Sequence, residues 1–163
     1  MYQVGIITAS DKGFAGERED LSGPAIKEII EKADQFQSAK YVILPDDKDM
    51  LKKEMLQMAD EDSLDLILTT GGTGFSHRDV TPEATLEVIE RRAPGIPEAM
   101  RYLSLSITPR AMLSRAEAGI RGNTLIVNLP GSPKAIKETL EYILPSVKHG
   151  LDILQGHDSN CAR

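Results

Sequence analysis

Gly71, Gly72 and Gly74 crowd together directly after the apolar run Leu64 to Thr69, LDLILT, within the stretch LILTTGGTGFSHRDVTPEAT. Glycines at a strand exit let the backbone approach a ligand closely and turn N–H groups toward anionic oxygens. Thr70 and Thr73 add hydroxyl donors. The same glycines also make a tight structural turn. GGTG fits neither the dinucleotide fingerprint GxGxxG nor the phosphate loop GxxxxGK[ST], so neither class is assigned. The HRD that follows adds chemistry. Arg78 suits a bidentate phosphate contact. Asp79 suits a magnesium ion bridging phosphate oxygens, or a cap on the helix near Thr81. His77 could contact a ligand or stand in solvent.

Further polar residues sit after other apolar runs. Asp46 follows YVILP. It could face the same cleft as Asp79 or cap the next helix, a role that Asp47 could also fill. Ser10 and Asp11 follow VGIITA, and NLPGSP closes another apolar run. In NLPGSP, Asn128 could bond a ligand or its own turn, Gly131 allows close approach, and Ser132 could cap a helix or touch phosphate. Lys134 opposes the dipole of the helix it opens, so an anion nearby would offset that cost.

The elements that must position these residues alternate. Tyr2 to Thr8 reads as a strand, followed by the loop ASDKGFAGEREDLSG. Pro24 fits the first turn of a helix whose stripe is Ile26, Ile29, Ile30 and Ala33. Lys40 to Leu44 reads as a short strand, and Met50 to Ala59 as a helix with Leu51, Met55 and Met58 inward. Leu64 to Thr69 suits a central strand covered on both faces. Thr81 or the residue before it caps a helix with Leu86, Ile89 and Ala93 inward, Val88 falling off the stripe. After APGIP comes a mainly helical stretch, in which Ala111 to Leu113 suits either a core or a subunit contact. Thr124 to Leu129 is a late strand, followed by a helix capped by Ser132 with Ile136, Leu140, Ile143 and Val147 inward. The end, HDSNCAR, has no apolar pattern and reads as a mobile tail. Such alternation implies a predominantly parallel sheet covered by helices. Binding loops then collect outside the carboxyl ends of the strands, so the exits after Thr8, Leu44, Thr69 and Leu129 should share a cleft.

The 163 residues suit one domain, and a formal net charge of −6 argues against a general nucleic-acid surface. Backbone-bound phosphates are compatible with that charge. The single cysteine, Cys161, excludes an internal disulfide, and no Cys/His metal spacing occurs. No signal segment or membrane-length apolar run is apparent, which fits a cytoplasmic protein.

TTGGTGFSHRDVTPEAT and LIVNLPGSPKAIKE together resemble the MogA/MoaB family of molybdenum cofactor biosynthesis proteins. VGIITASDKGFAGEREDLSGPAI and PRAMLSRAEAGIRGNTLIVNLPG supply the matching flanks, and the resemblance spans approximately Gln3 to Gly156. It implies a three-layer α/β/α sandwich, with a predominantly parallel mixed sheet, over residues 1–156 and a homotrimer, leaving the patternless 157–163 as the flexible tail. It also implies a stand-alone molybdopterin adenylyltransferase, using ATP and Mg2+ and followed in the pathway by a MoeA-like partner that inserts the metal. In the resemblance, Asp46 and Asp79 fall on the acidic pair that handles magnesium and nucleotidyl transfer. Gly71, Gly72, Thr73 and Gly74 fall on the substrate-phosphate and nucleotide loop. Ser114 and Arg115 match its LSR segment, and Asn128, Pro130 and Gly131 its NLPG loop. A noncatalytic molybdopterin-binding assembly protein is the alternative reading.

Overall fold

The structure is a computed structural model and describes residues 1–157. The expected flexible tail therefore lies, apart from His157, outside the described residues. His157 stacks on Tyr2, with ring centroids 6.5 Å apart.

The elements run β1 (Tyr2–Ala9), α1 (Asp11–Phe14), α2 (Ser22–Lys32), β2 (Phe36–Leu44), α3 (Lys48–Leu56), β3 (Leu66–Thr70) and α4 (Thr81–Val88). There follow β4 (Arg91–Arg92), α5 (Gly95–Leu105), a 3₁₀ turn (Pro109–Leu113), β5 (Ala118–Arg121), β6 (Thr124–Leu129) and α6 (Pro133–Leu154). The strand order is β2-β1-β3-β6-β5-β4. The four strands β2, β1, β3 and β6 are parallel, while β5 and β4 join antiparallel. The molecule is thus a three-layer α/β sandwich around a mostly parallel, mixed sheet.

Strand alternation divides the core. Val4, Ile6, Leu66, Leu68, Leu125 and Val127 pack with α2, α5 and α6 on one face. Ile7, Ile67 and Ile126 pack on the other face with Leu51, Met55 and Met58 and with Ala84 and Val88 of α4. β3 is buried along its whole length, as its unbroken apolar run requires.

Several boundaries differ from the sequence expectation. β2 begins at Phe36, because the FQSAK segment already pairs with β1: Phe36, Gln37 and Ser38 lie opposite Tyr2, Gln3 and Val4, and Lys40 opposite Gly5 after a bulge. α3 starts at Lys48, capped by Asp47, and its C-terminal end widens into a π turn over Gln57–Glu61. α4 stops at Val88, so Ile89 and Ala93 do not continue its stripe. Leu86 is exposed, against its expected inward place, and Val88 off that stripe is buried. Of the two cap positions expected, the residue before Thr81 holds: Val80 is the N-cap and Thr81 the first helical residue, its hydroxyl donating to the Gly71 carbonyl at 3.0 Å. β4 and β5 were not expected, being short and rich in arginine and glycine.

Candidate active site

The exits of β1, β2, β3 and β6 converge on one cleft of about 430 Å³, lined by residues from all of these loops. Hydroxyl-to-carbonyl bonds join them. Thr70 Oγ1 donates to Pro130 O at 2.7 Å, and Ser22 Oγ donates to Gly131 O at 2.7 Å. Ser10 N donates to Leu44 O at 2.9 Å. The first two satisfy loop carbonyls that sheet pairing leaves open, and the third the carbonyl of the last residue of β2.

The glycine loop is forced into its shape. Gly71 and Gly72 have φ of +87° and +69°, a region that side chains disfavour. A Cβ on Gly71 would meet Ala9 O at 2.3 Å, and one on Gly72 would meet Thr81 Oγ1 at 2.3 Å and Asp46 Oδ1 at 3.2 Å. The missing side chains let this loop lie against β1 on one side and Asp46 on the other.

Asp46 and Asp79 both line the cleft. Because Asp47 caps α3, Asp46 is released from that role. Its Oδ2 accepts from Asp11 N, while its Oδ1 is buried with no hydrogen-bond partner. Burial, with the nearby charges of Asp11 and Asp79, pushes the Asp46 carboxyl above the ordinary aspartate range. Asp79 accepts from Ser76 N at 2.9 Å through Oδ2. Among the described residues no three His, Cys, Asp or Glu side chains form a metal cluster by themselves. Magnesium, however, is commonly held by one or two carboxylates together with substrate phosphates. An orphaned buried oxygen on Asp46, with Asp79 across the glycine loop, fits that ion.

The remaining sequence candidates divide by what holds them. Gly131 and Ser132 line the cleft, and Ser132 caps α6 by accepting from Ala135 N at 3.2 Å. Ser10 also lines it and caps α1 by accepting from Gly13 N at 3.0 Å. Pro130 lends its carbonyl to Thr70. Thr73 is buried, and its carbonyl accepts from Arg115 N at 2.9 Å.

Other side chains are turned to the protein. Arg78 spans both oxygens of Asp11, at 2.9 and 3.0 Å. Arg115 donates to Gly74 O and Asp79 O, both at 2.8 Å, and pairs with Glu83. Ser114 accepts from Ala116 N through Oγ at 3.3 Å. Asn128 is fully buried, donating to Thr69 and Thr85 hydroxyls at 3.0 and 2.8 Å and accepting from Glu117 N. These bonds hold the loops in place. His77 and Lys134 are exposed.

Sequence reasoning passed over Asp20. Its carboxylate accepts from Thr8 Oγ1 at 2.8 Å, from Ser22 N and Gly23 N, and from the Tyr41 hydroxyl. Burial works to raise its pKa, but these donors prevail and hold it below the usual range. Within the polar run GERED nothing distinguished it; its partners come together only in the fold.

Similarity to known proteins agrees with this geometry. Residues 5–149 match the family profile described as probable molybdopterin binding domain. The chain is 44% identical over 155 residues to a molybdopterin adenylyltransferase of Helicobacter pylori, covering 94% of this chain and 88% of that protein. It superposes on the molybdopterin biosynthesis enzyme MoaB of Thermus thermophilus with a TM-score of 0.90 and 51% identity, covering 96% and 98% of the two chains. The tungsten cofactor synthesizing protein MoaB of Pyrococcus furiosus gives 0.85 and 37%, over 94% and 97%. This chain belongs to the MogA/MoaB family of molybdopterin biosynthesis proteins.

Proposed function

We propose that the chain is a molybdopterin adenylyltransferase that moves AMP from ATP to the terminal phosphate of molybdopterin and releases pyrophosphate. The observation that carries this reading is the unpartnered, buried Oδ1 of Asp46 beside the glycine loop, with Asp79 in the same cleft. The name of the Helicobacter pylori relative supports it.

The cleft is lined by Glu19, Asp20, Asp46 and Asp79 against Arg18. Such a surface repels two phosphorylated substrates unless a cation joins them. Asp46 and Asp79 would hold Mg2+. Bound there, it supplies charge neutralisation on the phosphate oxygens and aligns the reacting groups. The backbone of Gly71 to Gly74 cradles phosphate oxygens, and Ser132 with the N-terminus of α6 adds a favourable field for an anion.

The nucleophile is a terminal phosphate oxygen of molybdopterin. It forms a bond to the α-phosphorus of ATP as the bond from that phosphorus to the bridging oxygen breaks. The electron pair leaves with pyrophosphate. The attacking oxygen is already ionised near neutral pH, so no general base is required, and positioning with charge stabilisation supplies the catalysis.

The same proposal includes a homotrimer acting in the cytoplasm ahead of a MoeA-like insertion partner. Exposed apolar side chains on and near α5 and the 3₁₀ turn, Tyr102, Leu105, Ile107, Met112 and Leu113, support an interface there. Among the described residues no helix is long and apolar enough to cross a membrane. The test is pyrophosphate release from MgATP with and without molybdopterin. Release that requires the pterin supports the transferase; pterin binding without release supports a noncatalytic assembly protein.

A further inference from the structure

Asp46 and Asp11 form a reciprocal pair. Asp46 N donates to Asp11 Oδ1 at 3.0 Å, and Asp11 N donates to Asp46 Oδ2 at 3.1 Å. This ring joins the exits of β1 and β2 and fixes the rotation of the Asp46 carboxylate. One Asp46 oxygen is occupied by Asp11. The other, Oδ1, is left without a partner beside Gly72.

Asp11 itself has no oxygen free. Arg78 Nε donates to its Oδ2 at 3.0 Å, and Arg78 Nη2 to its Oδ1 at 2.9 Å. A carboxylate so occupied is poorly placed to ligate an ion. Arg78 also offsets the repulsion between two adjacent aspartates. The fork spans from the loop after Gly74 to the loop after β1, so all three strand exits meet at Asp11.

We propose that Asp11 is a positioning residue for the cation-holding carboxylate of Asp46, with Arg78 as its counter-charge. This rests on the reading of Asp46 given above. Asp11 acts through Asp46: its backbone N–H occupies Asp46 Oδ2, and its carboxylate, by accepting from Asp46 N and from Arg78, holds the loop exits in the register that leaves Asp46 Oδ1 open beside Gly72.

The test uses the full-length protein, α,β-methylene-ATP and Mn2+, with free Mn2+ counted by electron paramagnetic resonance. Thermal melts confirm that each variant is folded. Asp11→Ala keeps the N–H that donates to Asp46 Oδ2 but removes the carboxylate that anchors Asp46 N and Arg78, so that N–H is no longer held in register and Mn2+ binding should weaken by about tenfold, as loss of a group orienting a metal ligand typically does. Asp11→Asn keeps an oxygen acceptor for Asp46 N and should bind much nearer to wild type. Equal losses in the two variants would show that the Asp11 charge acts on the ion directly and would overturn the proposal. So would Mn2+ binding by Asp11→Ala at wild-type strength, or the absence of Mn2+ binding by the wild-type protein. If the wild type binds Mn2+ with the analogue yet releases no pyrophosphate from ATP and molybdopterin, the transferase reading fails. The binding series still decides the role of Asp11.

Discussion

Arg115 Nε lies 2.8 Å from the carbonyl oxygen of Gly74, joining positions 41 residues apart in sequence. The same guanidinium donates to the Asp79 carbonyl and pairs with Glu83. One side chain therefore fixes the end of the glycine loop and the backbone that carries a candidate catalytic carboxylate. Lysine has a single ammonium and cannot reproduce this fork. Arg115→Lys should cost about 1–3 kcal/mol of stability, measured by urea unfolding. It should also reduce turnover by roughly a hundredfold through loop misplacement, measured as pyrophosphate release.

Asp46→Asn separates stability from activity. Burial disfavours the ionised form of Asp46. Its raised folded-state pKa means that ionisation works against folding above the unfolded value. Removing the charge should leave the melting temperature at neutral pH unchanged or higher, while turnover falls by about a hundredfold or more. Asp79→Asn keeps an acceptor for Ser76 N, so it too should remain folded and lose turnover.

Two glycine substitutions should behave differently. Gly72→Ala places a methyl against Thr81 Oγ1 at a positive φ. It should destabilise the fold by about 1–3 kcal/mol. Gly131→Ala meets nothing closer than Gly71 Cα at 3.7 Å. It should melt like wild type, so any rise in KM for ATP or molybdopterin reports the cleft itself. Melting curves beside steady-state kinetics check both.

The Tyr41–Asp20 bond gives a pH signature. Hydrogen bonding holds Asp20 low despite its burial, while burial and then Asp20 push Tyr41 up to about 12. Stability from Asp20 is present above the ordinary aspartate value of about 3.9 and is lost as pH falls through its lowered folded value. Stability from Tyr41 is present below about pH 10 and is lost as pH rises toward about 12. Tyr41→Phe should cost about 1 kcal/mol near neutrality. The gap to wild type should close toward both extremes, measured by urea unfolding across pH.

What was legible in the sequence follows from periodicity and topology. The strand exits could be expected to converge because parallel sheets place their loops at one end. β6 and α6 read correctly because their apolar patterns are unbroken and Ser132-Pro133 marks the helix start. Leu86 misled because α4 ends too soon for its stripe to extend through Ile89 and Ala93. Residue type alone did not separate Asp46 from Asp47; only the fold shows that Asp47 takes the cap. Arg78 and Asn128 carry the groups expected for ligand contacts, but their partners are protein atoms from distant segments. Such assignments depend on long-range packing, which local spacing does not contain.

The most direct measurement follows a label into the pterin. Molybdopterin is incubated with MgATP carrying radioactive phosphorus at either the α or the γ position, and the pterin product is isolated. Adenylyl transfer should carry the α label into the pterin and leave the γ label in pyrophosphate. A pterin that takes up the γ label, or neither label, would contradict the account.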